Sequence, residues 1–464
     1  MSQETRFPES GRRKWVAGTL TYGGAGLAVL FFWLLWGDFA WNMKERSVIP
    51  VAQLMLKRFG ASDLIVGLLI GSLPAALGML LAPIVSVKSD RHRGRWGRRI
   101  PFLLYPVPFA LVALAGLAHA PGLSDWIHAR LGGAADPQFV RILVFAFFWT
   151  LFEIASVVSN AVFGGLINDV VPHEVIGRFF GLFRAVSLLA GIVFNYLIMG
   201  HAEEQYGWIF LGIGVLYGVG FPLMCLSIKE GQYPPPAPAP ARALGGMAAY
   251  LRECFGQPYY VLVFAGMTLA AVSFGPVNAF SVFFAKSVGM SMDAYGKYLA
   301  LTYAISLVLS YFLGVLADRF HPLRTSIAAA ALYAAAMFWG GFAATTPGAF
   351  AVAFVLHGVL SGVYMTCSAS LGQRLFPRAK FAQFASAGGI LTAVGFFVTP
   401  ALVGGIIDAS GHFYRITFWA AGILAACAVV VLIAVEARFR RLGGPSGYCP
   451  PEAAEAVSAT GTGI

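Results

Sequence analysis

Charge is what this chain has least of. Of its 464 residues, 11% are charged and 58% hydrophobic, and the mean hydropathy is +0.74. A water-soluble domain carries about 25% charged residues. A globule of this size with less than half of that could not cover its surface, so a single soluble fold is excluded. Disorder and coiled coil are excluded too, because both need more charge and fewer aromatics than the 14% found here. Cysteine is scarce. The five (Cys225, Cys254, Cys367, Cys427, Cys449) form no CxxC and no metal spacing, and four fall in or near apolar stretches, where cysteine acts as a small hydrophobe. A phosphate-cradling glycine loop, a nucleophile elbow and a zinc motif are all missing. Asn168-Asp169 and His173-Glu174, expected in a loop, have no ligand spacing. Neither an enzyme, nor a cofactor, nor a metal is implied. No cleavable leader is evident, since the first apolar run, Val16 to Ala40, is too long for one and lacks a cleavage motif.

What the chain does have is long apolar runs. Only helices and closed barrels satisfy the backbone in lipid, and a barrel would alternate over segments of about ten residues. These runs are continuous and reach the roughly 20 residues a spanning helix needs. They predict an all-α polytopic membrane protein with about twelve spans: 17–43, 64–86, 100–119, 139–163, 178–200, 207–228, 259–284, 294–317, 326–345, 350–372, 383–407 and 415–436. Pro234, Pro235, Pro236, Pro238 and Pro240 lie between spans six and seven and cannot continue a helix. The expected organisation is therefore a six-helix bundle at 1–230, a proline-rich linker with a short helix at 231–257, a second bundle at 258–441 and a flexible tail at 442–464.

The net charge of +11 sits in short loops, which points to the positive-inside rule rather than to nucleic acid. Lys88 to Arg99, Arg319 with Arg324, Arg374 to Lys380, and the basic residues at both ends fall on one side if the spans number twelve. Both termini are then cytoplasmic, in a plasma or bacterial inner membrane. Lys44, Arg46, Lys57 and Arg58, expected in the loop after span one, are an exception. An internal repeat supports two halves. Ser89-Asp90-Arg91 closes span two, and Ala317-Asp318-Arg319 closes span eight. A second pair, Pro172 with Ile176, Arg178 and Phe179 against Pro377 with Phe381, Gln383 and Phe384, repeats at a shorter offset than the first, which a long first-half loop from Pro121 to Gln138 would explain. Repeated halves around a midplane site are a common plan of secondary transporters.

Polar residues recur at helical spacing within several spans. Span one has Asp38, Trp41, Asn42 and Glu45. Span four has Trp149, Glu153, Ser156 and Asn160. Span five has Arg184, Gly191 and Asn195, and span ten has His357, Ser361, Tyr364 and Ser368. Tyr303, Ser306 and Ser310 belong to span eight and Asn278 to span seven. Such groups are costly in lipid and face a cavity or a partner. Each has a plainer alternative. Asp38 and Glu45 are either wet groups at the outer end of span one or cavity groups. Arg184 either snorkels or pairs with Glu153 or a ligand. His357 is a packing histidine or a site residue, and the span-ten stripe is interhelical glue or a binding face. Trp41 and Trp149 are interfacial anchors or stacking surfaces for a sugar ring. Glu153, near mid-span, must be neutral or paired.

Gly314-Val-Leu-Ala-Asp318-Arg319, followed by Arg324, resembles the loop signature of the major facilitator superfamily. The first-half copy runs from Ser89-Asp90-Arg91 through Trp96-Gly97-Arg98-Arg99 to Pro101. It resembles the form seen in glycoside–pentoside–hexuronide:cation symporters and plant sucrose transporters. The resemblance implies that spans one, four, seven and ten line a central cavity. It also implies that Asp90, Arg91, Arg98, Asp318 and Arg319 form cytoplasmic gates. Basic residues that merely set topology are the alternative there. Ser86 replaces the glycine that usually opens the signature, and span two has no carboxylate of the kind sodium-using relatives place there. Protons are thus the expected coupling ion, carried by Asp38 or Glu153. The expected function is symport of a small polar solute, a sugar or glycoside, contacted by Trp41, Asn42, Trp149, Asn160, Arg184, Asn195, Asn278, Tyr303, His357 and Tyr364. The expected partners are that solute, the proton or another cation, and lipid. The alternatives are a same-fold exporter, a carrier of organic anions, nucleosides, drugs or pigment precursors, and a non-transporting scaffold or receptor. Drug exporters often have a Gly-Pro motif in span five, and Arg178 to Gly200 contains no proline.

Overall fold

A computed structural model describes residues 14–132, 134–233, 250, 252–377 and 380–451. The side chains at 310–311, 314–318, 382 and 446 lie outside that description, as does most of the predicted linker. Trp15–Ala17 and Leu20–Tyr22 pair as an antiparallel hairpin, so the first span starts later than its apolar run suggests. The first bundle contains α1 (Gly24–Arg58), α2 (Asp63–Arg91), α3 (Ile100–Arg130), α4 (Pro137–Val170), α5 (Ile176–Leu197) and α6 (Tyr206–Ser227). The second contains α7 (Pro258–Ser287), α8 (Met292–Phe320), α9 (Pro322–Ala343), α10 (Pro347–Leu375), α11 (Phe381–Ala409) and α12 (Ile416–Arg441). Eleven are long and apolar enough, among the described residues, to cross a membrane; α8 stands in the twelfth place.

Local chemistry sets the helix ends. Ser62, Asp136, Ser291 and Thr346 each accept a backbone N–H three residues on, and proline follows at Pro137 and Pro347. These are N-cap signals, which satisfy donors that a helix start leaves free. All four lie at one end of the bundle, here the distal end. The chain termini mark the other, terminal, end.

The packing repeats under a shift of six helices. In the first bundle α1 lies against α5 and α6, α2 against α4, and α3 against α4 and α6. In the second, α7 lies against α11 and α12, α8 against α10, and α9 against α10 and α12. Between bundles α5 meets α8 and α2 meets α11, and the same shift exchanges these two seams. This is the pseudo-symmetric pair of six-helix bundles that the repeat implies.

Two boundaries need correction. The first span does not end near residue 43. Helix α1 continues for 35 residues to Arg58, about 52 Å at 1.5 Å per residue. Lys44 and Arg46 therefore lie within the bundle, because partners on other helices replace water around them. Similarly α3 runs to Arg130, so most of the predicted Pro121–Gln138 loop is helix.

Candidate solute-binding site

Helix α1 presents polar side chains on two sides. Asp38, Asn42 and Arg46 follow each other at four-residue steps and share one face. Asn42 Nδ2 donates to Asp38 Oδ1 at 2.6 Å, and Ser187 Oγ on α5 donates to Asn42 Oδ1 at 2.7 Å. Arg46 reaches across the bundles. Its Nη1 donates to Tyr303 Oη on α8 at 2.9 Å, its Nη2 to Ser187 Oγ at 3.4 Å, and its guanidinium lies 4.7 Å from the centre of the Tyr303 ring. Helix α5 contributes Arg184, Ser187, Gly191 and Asn195 on one stripe. Gly191 is needed there, because a Cβ would stand 2.7 Å from the Tyr303 ring. Arg184 is exposed, with no ion pair to Glu153 among the described residues. Asn195 is buried, donates to the Gly191 carbonyl at 2.8 Å, and leaves its Oδ1 without a partner among the described residues.

The second side of α1 holds Lys44, which is 0% exposed. Its Nζ donates to Glu45 Oε1 at 2.7 Å and to Ser156 Oγ on α4 at 2.8 Å. It lies 3.8 Å over the Trp41 ring and 5.1 Å from Tyr217. An ammonium over aromatic faces is held by the ring quadrupole. Lys44 and Glu45 are the charged groups whose electrostatic influence reaches buried Glu153. Trp41 thus forms part of a cage for Lys44. Trp149 is fully buried and donates its indole N–H to Leu69 O at 2.7 Å, inside the π-helical turn Gly67–Ser72 of α2. Asn160 lies one turn beyond Ser156 and is exposed.

In the second bundle α7 breaks at mid-span. Helix Pro258–Ser273 stops, and Gly275–Ser287 restarts with Pro276 in its first turn. Interrupted helices of this kind line ion and solute sites in transporters. Asn278, just past the break, is exposed. His357 Nε2 lies 3.0 Å from Asn278 Oδ1, and His357 Nδ1 lies 2.9 Å from Tyr333 Oη. With Asn278 presenting its carbonyl, Nε2 carries the proton and Nδ1 accepts from Tyr333. His357 therefore orients Asn278 from behind. Tyr364 is buried with its ring 5.8 Å from Phe274.

The distal halves of the bundles close on each other. Asp63, fully buried at the start of α2, accepts from Lys57 and His412 at 2.7 Å and from Tyr414 at 3.2 Å. Asp408 at the end of α11 accepts from the backbone N–H groups of Asp63 and Leu64, both at 2.8 Å, and so caps a helix of the other bundle. Burial first, then the Asp63 charge, pushes the Tyr414 phenol above its ordinary range. The predicted second span left out Asp63. That carboxylate is committed to this seam.

At the terminal end, Asp90 pairs with Arg99 at 2.5 Å. Arg98 and Arg99 both reach Asp169, which lies in the last turn of α4 rather than in a loop. Glu230 accepts from the N–H groups of Arg98, Arg99 and Ile100, where a helix start favours an anion. Burial lowers the Arg98 pKa, but Asp169 outweighs it and holds it above the usual value. Every partner named here belongs to the first bundle. Arg91 and Arg319 are exposed, and the Asp318 side chain lies outside the described residues. Asp169→Asn should lower stability by about 1–3 kcal/mol, read as thermal unfolding in detergent. Asp90→Asn, at a 55%-exposed side chain, should cost under about 1 kcal/mol.

Residues 54–379 match the family described as MFS/sugar transport protein. The chain belongs to that family. As a member of the MFS/sugar transport protein family it is an integral membrane transporter. No curated protein matches it in sequence. Among solved structures it is similar to the inward-open xylose transporter XylE from E. coli, with TM-score 0.61 and 14% identity, covering 94% of this chain and 98% of that one. It is also similar to the nucleoside transporter NupG, with TM-score 0.62 and 12% identity over 88% and 99%. A bacterial homologue of the iron transporter ferroportin gives 0.62 and 16% over 88% and 99%. At these identities the likeness is one of fold.

The site residues missed by sequence reading in this MFS/sugar transport protein are Lys44, Arg46 and Ser187. A signal for Arg46 existed, since Asp38, Asn42 and Arg46 continue one helical stripe. Ending the span at its first cluster of charge hid it.

Proposed function

We propose that this chain carries a sugar-sized polar solute by alternating access, coupled to a proton. The observation that supports it best is the mid-membrane polar face Asp38–Asn42–Arg46 and its bond to Tyr303 of the other bundle. A solute bound there touches both bundles, so its binding energy can bias how they sit. Asn42, Arg184, Tyr303 and Asn278 are the contacts we assign to it, with Asn160, Asn195 and Tyr364 further out. Asp38 or Glu153 takes up and releases the proton, because coupling needs one carboxylate that changes charge. Residues 1–230 and 258–441 rock about 231–257, with the loops at Asp90 and Asp318 as cytoplasmic gates and both termini in the cytoplasm.

Uptake of a radiolabelled sugar panel into proteoliposomes, with and without an imposed pH gradient, tests this reading. Gradient-driven accumulation is expected in the wild type. Glu153→Gln or Asp38→Asn should lose accumulation and keep solute exchange at zero gradient. Accumulation at wild-type level in both variants refutes the proton assignment.

A further inference from the structure

The distal seam gathers three side chains of metal-ligand type that the transport reading does not use. Asp63, at the start of α2, belongs to the first bundle. Asp408, in the last turn of α11, and His412, just beyond it, belong to the second. One ligand atom from each lies within 4.8 Å of the other two. His412 Nδ1 stands 2.7 Å from Asp63 Oδ2 and 3.9 Å from Asp408 Oδ1. No sequence motif announces the set, because Asp63 and Asp408 are 345 positions apart.

A simple ion-pair latch is the plain alternative. Lys57 Nζ holds Asp63 Oδ1 at 2.7 Å, and the backbone N–H groups of Asp63 and Leu64 hold Asp408. These bonds leave the cluster short of positive charge. Two carboxylates meet one permanent cation, Lys57, since no arginine and no second lysine pairs with either among the described residues. Arg415 turns instead to the Phe342 carbonyl and the Phe413 ring. The same bonds hold the two carboxylates in place before an ion arrives. His412 is the movable member, with a side chain 58% exposed, and it opens the set to water.

The donors suit zinc. One imidazole nitrogen and two carboxylate oxygens leave the fourth corner of a tetrahedron to water. Bonds of about 2.0–2.2 Å put tetrahedral ligand atoms about 3.3 Å apart. The shorter His412 contact must therefore open, and the longer one close, by about half an ångström each. Turning Nδ1 from Asp63 toward Asp408 does both. The neutral ring then carries its proton on Nε2. Calcium and magnesium fit poorly, because both take six or more oxygen ligands.

We propose that Asp63, Asp408 and His412 bind one Zn²⁺ between the two bundles. The ion ties the start of α2 to the end of α11. Opening the distal end parts its ligands, so zinc binds the closed seam better and draws the population toward it. Zinc is thus an inhibitor of the carrier, acting away from the solute site.

The full chain in detergent, with ZnCl2 as the probe, tests this. Zinc is expected to raise the thermal unfolding temperature, and EDTA to reverse the rise. MgCl2 and CaCl2 should do neither. At about 100 times its dissociation constant, zinc favours the closed seam by up to about 100-fold. Labelling of a cysteine introduced at the distal seam should slow by up to the same factor. His412→Asn is the discriminating variant. The amide N–H still donates to Asp63 but has no lone pair for a metal, and asparagine tolerates the φ of +62° at this position. It should melt as the wild type without zinc and bind zinc about 10-fold or more weakly. Neither readout needs the transported solute. No zinc response in the wild type, or an equal response in His412→Asn, would overturn the site. A raised unfolding temperature with unchanged labelling would overturn the closure.

Discussion

Lys44→Met is expected to abolish transport and to lower stability by about 3–5 kcal/mol, the usual cost of removing one member of a buried charge pair. The Lys44 ammonium bonds to Glu45, and it is the cation whose charge acts on Glu153. Without it, two carboxylates face each other across α1 and α4. They are not equivalent. The Glu45 side chain is 35% exposed and can take water, whereas Glu153 is buried and cannot. Adding Glu153→Gln to Lys44→Met should therefore restore most of the stability, and adding Glu45→Gln should restore less. Neither double variant should accumulate solute. Thermal unfolding of the wild type, the three single variants and the two double variants, read as two double-mutant cycles, measures this directly. Equal rescue by the two glutamine substitutions would mean that Lys44 does not serve Glu153.

The second large effect belongs to the distal seam. A Cβ at Gly404 would stand 2.3 Å from the Asp63 carbonyl oxygen, and one at Gly67 would stand 2.3 Å from the Pro400 carbonyl oxygen. Both obstacles are backbone, so no rotamer change relieves them. Gly404→Val must separate α2 from α11 or distort one of them, a cost of about 1–3 kcal/mol in a packed interface. That shifts the balance of states by about 5- to 150-fold toward one open at the distal end. The neighbouring Gly405 is the control, because its Cβ would meet only a Leu64 methyl at 3.8 Å. Labelling of a cysteine introduced at the distal seam should accelerate in Gly404→Val and not in Gly405→Val. Equal rates in the two would show that α2 and α11 do not close the distal end.

Much of this protein is legible along the chain. A spanning helix needs a run of apolar residues whatever its neighbours are, so twelve spans follow from hydropathy. The six-plus-six division follows from the proline run and the repeated Asp-Arg, and the shift-by-six packing agrees with it. The α5 stripe is legible as well. Arg184, Gly191 and Asn195 share a face because 3.6 residues per turn demands it.

Tertiary structure alone decided Lys44, and for Arg46 it decided what the Asp38–Asn42–Arg46 stripe only pointed to. A charged residue after an apolar run ends a span if water meets it there and stays inside if another helix does. Trp41 and the distant Ser156 and Tyr217 answer that for Lys44, and Ser187 and Tyr303 for Arg46. None of those approaches follows from local spacing. The same holds for the hydrogen bonds of Asp408 to the start of α2, 345 positions away in the chain. Periodicity says which side chains share a face. Packing between helices, which sets the local dielectric and the available partners, says what that face meets.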